Sequence, residues 1–325
     1  MVSLNSLAED QAPAATVVVV SWNRLSLLAT CIESLRHQDL DRGLFEILVV
    51  DNASTDGTAE WLNEQPDLRV IRNPQNRGFA GAMSQALAHV RTPYLAMLNN
   101  DAVASPAWLR ELLNPLAANP AVGATTAKIL LSDAAAGPTL QSTGVVLDSG
   151  ARGSDRGFLE PDCGQYDGPD STDVFGFCGG AAAIRTSAAR NVGGFWSQLF
   201  LYYEDVDLSW RLRRAGYVVH YVPTAVATHA HGASTEHGSP LFYRYNLRNR
   251  IAVLLANGAR SQITAAFTPA KRSTRSASRP LNTPKPTKST KARSVVDLLR
   301  LMPAVVRRRL EPPGWRGSWP QSRGR

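Results

Sequence analysis

The sequence predicts an α/β protein with a mostly parallel central sheet flanked by helices. Three observations carry that prediction. β-Branched apolar runs alternate with stretches of helical spacing through the N-terminal half. Polar clusters follow the runs directly, at Asn23, Asp51 and Asn99-Asn100-Asp101, where open parallel sheets bind ligands outside the strand C-termini. The chain is 325 residues long, 44% hydrophobic and 19% charged, ample for a sizeable core.

Thr16–Trp22 is an apolar run suited to a strand buried on both faces. Leu25–Arg36 follows with Leu27, Leu28, Cys31, Ile32 and Leu35 at helical spacing. Phe45–Val50 is a second buried strand. It ends in turn and N-cap formers from Asp51 to Gly57, before a short helix near Thr58–Asn63. Leu68–Ile71 and Tyr94–Leu98 read as strands on either side of a helix over Ala80–Val90. Ser105-Pro106 has the form of an N-cap with proline at the first helical position, opening a helix to about Asn119. From Ala134 to Asp173 the chain is rich in Gly, Asp, Ser and Pro and predicts loops with one strand, Gly144–Leu147. Tyr217–Val222 reads as a strand and Leu241–Leu255 as a helix. Arg260–Arg293 loses periodicity and predicts a disordered basic linker. Ser294–Leu310 regains helical spacing, interrupted by Pro303.

The net charge of +8 hides a division. Arg260–Arg325 holds 16 basic and 2 acidic residues, a net of +14, so residues 1–259 carry −6. Nucleic acid is therefore not the expected partner of the acidic body, and the tail lacks interleaved aromatics before Trp315. Three cysteines without a CxxC pair fit a reducing compartment and argue against a disulfide scaffold. No run of 18 apolar residues and no evident signal peptide predict a cytoplasmic protein. The tail's clustered Lys and Arg, with the apolar residues of 295–310, suit an anionic membrane surface.

Four constellations could carry chemistry. Asp51 at a strand end could bind a base or ribose, or simply cap a turn. Asn99-Asn100-Asp101 offers consecutive oxygens to a hard divalent cation, or forms an Asx turn. Glu204, Asp205 and Asp207 open a helix that closes with arginines, as the helix dipole favours. Three acids in four residues, beside Tyr202 and Tyr203, also raise one another's pKa and suit a general base. His229 and His231 follow a strand, where an imidazole could complete an oxygen-rich metal site. Gly176-Phe177-Cys178-Gly179-Gly180 is better explained by tight packing than by a ligand.

Together these blocks resemble the family 2 glycosyltransferases, near the branch of rhamnosyl and related sugar transferases. The matching stretches are VVVVSWNR (17–24), ILVVDNASTDGT (47–58), NRGFAGA (76–82), YLAMLNNDA (94–102), FGFCGGAAAIR (175–185), FLYYEDVDLSWRLRRAGY (200–217) and HAHGAS (229–234), with Tyr245–Asn249 beyond. The resemblance spans about 14–258. It implies the GT-A fold, with a nucleotide-sugar-binding half over 14–130, a catalytic and acceptor half over 131–258, and a basic tail over 294–325 beyond the linker. It implies Asn23, Asp51 and Arg77 near the nucleotide of a dTDP- or UDP-sugar, with Asn99 and Asn100 in the family's Asp-x-Asp stretch. Asp101 and His229 would hold Mg²⁺ or Mn²⁺. Asp205, beside Glu204, would be the base of an inverting single displacement onto a glycan or lipid-linked acceptor in surface polysaccharide synthesis. Asn99 stands where the family usually has an acid, and Ser84 where it has an asparagine. A sugar-phosphate nucleotidyltransferase, or a binding protein with a nucleic-acid-binding tail, are the other readings of the same residues.

Overall fold

The computed structural model describes residues 12–132, 137–148, 152–229, 239–267 and 288–310. The N-terminal elements are β1 (Ala15–Ser21), α1 (Leu25–Arg36), β2 (Phe45–Asp51), α2 (Thr58–Asn63), β3 (Leu68–Arg72), α3 (Gly78–His89) and β4 (Tyr94–Leu98). β1 lies between β2 and β4, with β3 beyond β2, and all three pairings are parallel. β-Branched residues fill these strands because both faces are covered. Val17, Val19, Ile47 and Val49 pack with α1 residues such as Leu28 and Ile32. Val18, Leu48 and Val50 pack with Met83 and Leu87 of α3 on the other face.

The sheet continues past β4 in mixed sense. β5 (Ala102–Ala104) and α4 (Trp108–Ala118) lead to β6 (Val122–Leu131), and β11 (Ala181–Arg185) inserts antiparallel between β4 and β6. β12 (Val218–His229) runs parallel to β6. The expected parallel sheet is thus parallel in its first half and mixed in its second. The two halves share one continuous sheet. β6 was not foreseen, because VGATTAKILL mixes small and polar residues. Its Lys128 is buried and reaches Asp162 and Asp167 at 3.0 and 2.8 Å. α4 starts at Trp108, two residues after the proline expected to open it.

The segment expected to be mostly loop carries β7 (Leu140–Ser142), β8 (Val145–Leu147), β9 (Gly153–Asp155) and β10 (Asp173–Val174). β8 and β9 form a small hairpin of their own. After β11 come α5 (Thr186–Asn191) and α6 (Glu204–Arg214). β12 extends seven residues beyond the strand read from the sequence, through Pro223 to His229. α7 (Pro240–Asn257) follows, its first turn capped by the Ser239 hydroxyl, which accepts from Phe242 N.

Two corrections concern the tail. The expected disordered linker holds a helix, α8 (Arg260–Phe267), at its start, and the last helix, α9 (Lys288–Leu310), begins inside it. Between them, residues 268–287 lie outside the described residues, as do 311–325 and the 230–238 segment with His231. Pro303 does not break α9; it sits on the exposed face. α9 lies along α7, burying Leu301 and Val305 and pairing Asp297 with Arg244 at 2.6 Å. Packing replaces the periodicity that the linker sequence lacks.

α9 also reaches α6. Asp207, fully buried, accepts from Arg211 at 2.6 Å, from Arg308 at 3.4 Å and from Asn257 at 2.9 Å. Burial pushes the Asp207 carboxyl up, but Arg211 and Arg308 outweigh burial and hold it below the usual carboxylate range. A depressed folded-state pKa stabilises the fold above the unfolded value of about 3.9. That contribution is lost as pH falls through the lower folded value. Asp207→Ala leaves two arginines uncompensated and should cost about 3–5 kcal/mol in urea unfolding at pH 7, with a smaller deficit below pH ~4.

Candidate active site

Sheet topology alone brings the candidate residues to one edge. β1, β4 and β12 point the same way, so Trp22, Asn99 and His229 all lie at strand C-termini. β11 runs the other way, and its entry, Gly179-Gly180, meets them there. Asn99 N donates to Gly180 O at 2.9 Å. β5 turns back and pairs antiparallel with the end of β12, setting Ala102 opposite His229 and Asp101 beside it. A cavity of about 520 Å³ opens at this edge. Its wall includes Asn99, Asn100, Asp101, Glu204, Asp205 and His229. Six of the nine predicted site residues therefore share one cavity.

Asn23, Asp51 and Arg77 are not on that wall. Asn23, in the left-handed region at φ 58°, accepts from Thr55 N through Oδ1 at 2.8 Å, and its own N–H donates to Ser54 Oγ at 2.8 Å. Asp51 Oδ1 accepts from Ser54 N at 3.0 Å. The two residues tie the loops after β1 and β2 together. Arg77 precedes α3 and is exposed. Neighbours of these residues, Trp22, Asn52, Asn76, Gly78 and Phe79, line the cavity instead. Asn52 was missed. Its amide donates to Gly78 O at 3.1 Å and accepts from Asn73 at 2.9 Å, fixing the approach to α3.

Asp101 Oδ1 and His229 Nε2 stand 2.7 Å apart, and both residues are buried. The opposite ring nitrogen, Nδ1, donates to Gln141 Oε1 at 2.7 Å. At that separation Nε2 and the Asp101 carboxylate are in hydrogen-bond contact, and with the shared proton displaced the same two atoms would serve as neighbouring ligands of a cation. This pair fits a divalent ion that takes its remaining ligands from phosphate and water. Among the described residues no group of three or more His, Cys, Asp or Glu side chains gathers to form a complete protein cage. Asn99 turns its amide nitrogen, 3.3 Å away, to His229 Nε2, rather than the carbonyl oxygen expected as a ligand.

Also lining the cavity, the chain enters α6 through Phe200, Tyr202 and Tyr203, all in the left-handed region at φ 67–69°. Each such residue without glycine costs about 1–2 kcal/mol. Buried Asn249 of α7 donates to Leu199 O, Leu201 O and Tyr202 O at 3.0, 2.8 and 2.7 Å, and Arg248 donates to Gln198 O and Leu199 O. Gly78 admits the turn. A Cβ there would meet Phe200 O at 2.3 Å, and its own φ is +70°. The strained entry sets the first turn of α6 against the cavity.

Asp205 Oδ2 accepts from Gly179 N at 3.1 Å and Oδ1 from Val206 N at 2.7 Å. Glu204 is 5% exposed, and its Oε2 has no hydrogen-bond partner. Burial, then the charge of Asp205, pushes the Glu204 carboxyl well up. Burial raises Asp205 too, but the two backbone N–H groups oppose it. With no donor on Oε2, Glu204 is raised further than Asp205, so it is the first of the pair to hold a proton.

The site holds residues that sequence reasoning did not single out. Gln141 fixes the His229 ring, and Gly179, read as a packing glycine, supplies the N–H that holds Asp205. Asp155, from the segment read as loop, also lines the cavity. Withdrawal from water, then the charge of Asp205 against a Ser142 hydrogen bond, leaves its carboxyl at about 6. In a pH titration followed by carboxyl ¹³C shifts, Asp155 should titrate near 6 and Glu204 well above the ordinary range. Removing the like charge with Asp205→Asn should move both midpoints down; an unmoved Asp155 would show the two are not in electrostatic contact.

The family model described as Glycosyl transferase family 2 matches residues 16–193, and that described as Glycosyl transferase family group 2 matches 162–263. The chain is similar to the pre-mycofactocin glycosyltransferase of Mycobacterium tuberculosis (strain ATCC 25618 / H37Rv), 30% identical over 66% of this chain and 42% of that one. It is similar to the N-acetylglucosaminyl-diphospho-decaprenol L-rhamnosyltransferase of the same strain, 28% identical over 58% of this chain and 67% of that one. The chain spans 42% and 25% of the length of the pre-mycofactocin enzyme and of a Sinorhizobium fredii relative, y4gI. Among solved structures, GalNAc-T7 with UDP, GalNAc and Mn²⁺ superposes with TM-score 0.59 at 18% identity, over 75% of this chain and 48% of that one. The mannosyltransferase PcManGT of Pyrobaculum calidifontis, in complex with GDP-Man and Mn²⁺, gives 0.54 at 20%, over 91% and 74%. These likenesses carry the GT-A fold. With the family model covering more than half of its length, the chain belongs to glycosyltransferase family 2.

Proposed function

We propose that the chain transfers a sugar from a nucleotide-sugar donor to an acceptor hydroxyl by a single inverting displacement. The observation that carries this reading is one cavity lined by both the Asp205 carboxylate and the Asp101–His229 pair. Such a displacement needs a proton acceptor behind the nucleophile and charge stabilisation at the leaving group, on opposite sides of the anomeric carbon. Asp205 takes the proton from the acceptor hydroxyl. Its two N–H partners aim the carboxylate, and neutral Glu204 adds no second negative charge against it. Asp101 and His229 would hold Mg²⁺ or Mn²⁺, which neutralises the departing diphosphate. No second carboxylate is needed as nucleophile, in contrast to retaining glycoside hydrolysis. Asn23, Asp51 and Arg77 shape the loops beside the cavity on the nucleotide side.

The donor on this reading is a dTDP- or UDP-sugar, with rhamnose a favoured sugar because one relative is a named L-rhamnosyltransferase. That relative's decaprenyl diphosphate acceptor supports a lipid-linked or glycan acceptor here, in cell-wall or surface polysaccharide synthesis. Donor screening by thermal shift with Mn²⁺, then transfer assays, tests the assignment. Asp205→Asn should abolish transfer and keep donor binding. Asp101→Ala should lose Mn²⁺-dependent donor binding; an unchanged Mn²⁺ titration would remove the cation from the reading.

The same proposal includes a peripheral membrane position. Among the described residues no helix is long and apolar enough to cross a membrane. The outer face of α9 exposes Val296, Leu299 and Val306, and Arg293, Arg300 and Arg307 recur beside them every seventh residue. That arrangement suits shallow insertion between anionic headgroups. Replacing Val296, Leu299 and Val306 by serine should leave unfolding unchanged and abolish co-sedimentation with phosphatidylglycerol vesicles. Retained binding would place the contact elsewhere.

A further inference from the structure

The β8–β9 hairpin lines the cavity through Val145, Gly153, Ser154 and Asp155, and Asp155 is the charged residue it contributes. β9 is pressed onto the first turn of α6. A Cβ at Gly153 would come within 2.9 Å of Val206. On the other strand, Val145 pairs with Asp155 and is tied to Gly176 in both directions, at 2.7 and 3.1 Å. The hairpin is thus anchored to the helix of the base and to the strand that brings Gly179.

The Asp155 carboxylate lines the same cavity as Asp101, Asp205 and His229, near enough to Asp205 and His229 to feel the charge of each. Gln141 and Ser142 are consecutive residues of β7. The first holds His229 and the second lies near Asp155, so one short strand borders both. Arg156, next in the chain, turns away. Its guanidinium donates to Thr143 and Ser171 O and lies over the rings of Tyr166 and Tyr221. The Asp155 carboxylate is therefore available to the cavity.

On the function proposed above, the anomeric carbon lies between the leaving phosphate at Asp101–His229 and the acceptor oxygen at Asp205. A group within reach of both ends stands beside the sugar ring in transit. A carboxylate can only accept hydrogen bonds, and a sugar hydroxyl can donate one. We infer that Asp155 binds a ring hydroxyl of the transferred sugar and so determines which sugar the site takes. The substrate class this selects is a nucleotide sugar with a free hydroxyl at that ring position, against one that is deoxygenated or N-acetylated there.

The test begins with wild-type protein and Mn²⁺ against UDP-glucose, UDP-galactose, UDP-N-acetylglucosamine and dTDP-rhamnose. Transfer from none of them would count against the proposed function itself. With an accepted donor in hand, Asp155→Ala and Asp155→Asn are compared with wild type on that donor, on its monodeoxy analogues and on the free nucleoside diphosphate. The variants should bind the free diphosphate as wild type does and lose about 10- to 100-fold in kcat/KM for the intact donor. One monodeoxy analogue should be discriminated against by wild type and accepted by Asp155→Ala no worse than the parent donor. Unchanged donor kcat/KM, equal loss of diphosphate and donor binding, or an undiminished penalty for every deoxy analogue would each overturn the assignment.

Discussion

The geometry of this protein depends on a clamp between α7 and the strained segment before α6. Phe200, Tyr202 and Tyr203 each hold a left-handed backbone that non-glycine residues avoid. They remain there because Arg248 and Asn249, both buried, donate to the carbonyls of Gln198, Leu199, Leu201 and Tyr202, while Ala80 N donates to that of Phe200. Buried carbonyls left without donors would cost about as much as the strain itself. Releasing one would expose the other, so the two costs lock the segment in a single state. The consequence is geometric. The chain reaches α6 at an angle that points Glu204 and Asp205 into the cavity rather than along the protein surface. Such strain concentrates at functional sites.

Three acids in four residues then meet three environments. Glu204 is enclosed without a partner and is best kept neutral. Asp205 faces the cavity and is held by two N–H groups, which stabilise its charge. Asp207 points into the core and is neutralised by Arg211 and Arg308. Composition predicts mutual repulsion among the three. Structure gives each its own surroundings: burial favours a proton on Glu204, and two cations neutralise Asp207.

Much of this was legible in the sequence, and the limits have physical causes. The β-branched runs of β1, β2 and β4 could be read because both faces of a parallel sheet demand them. The motifs at 99–101, 204–205 and 229 could be placed at one cavity because each adjoins the end of a regular element that the sequence reveals, although turn and helix-dipole uses suit 99–101 and 204–205 as well. β6 could not. Gly123, Thr125, Thr126 and Lys128 show no alternation, and the strand exists because neighbours on both edges pair with it. Asp155 was hidden for the same reason: a three-residue strand has no periodicity, and its carboxylate becomes informative only once the hairpin folds over α6. The α8 helix and the start of α9 were missed because tertiary contact with α7, rather than local spacing, sustains them.

Arg308 lies 101 residues from Asp207 in sequence and touches it in space. Any boundary drawn by alignment near residue 258 severs that contact. A shortened protein would keep every motif and still present α6 with an unbalanced charge, two residues from Asp205. Boundary choice for expression, fusion or crystallisation is therefore a question of electrostatics: the smallest unit with an intact α6 runs to the end of α9.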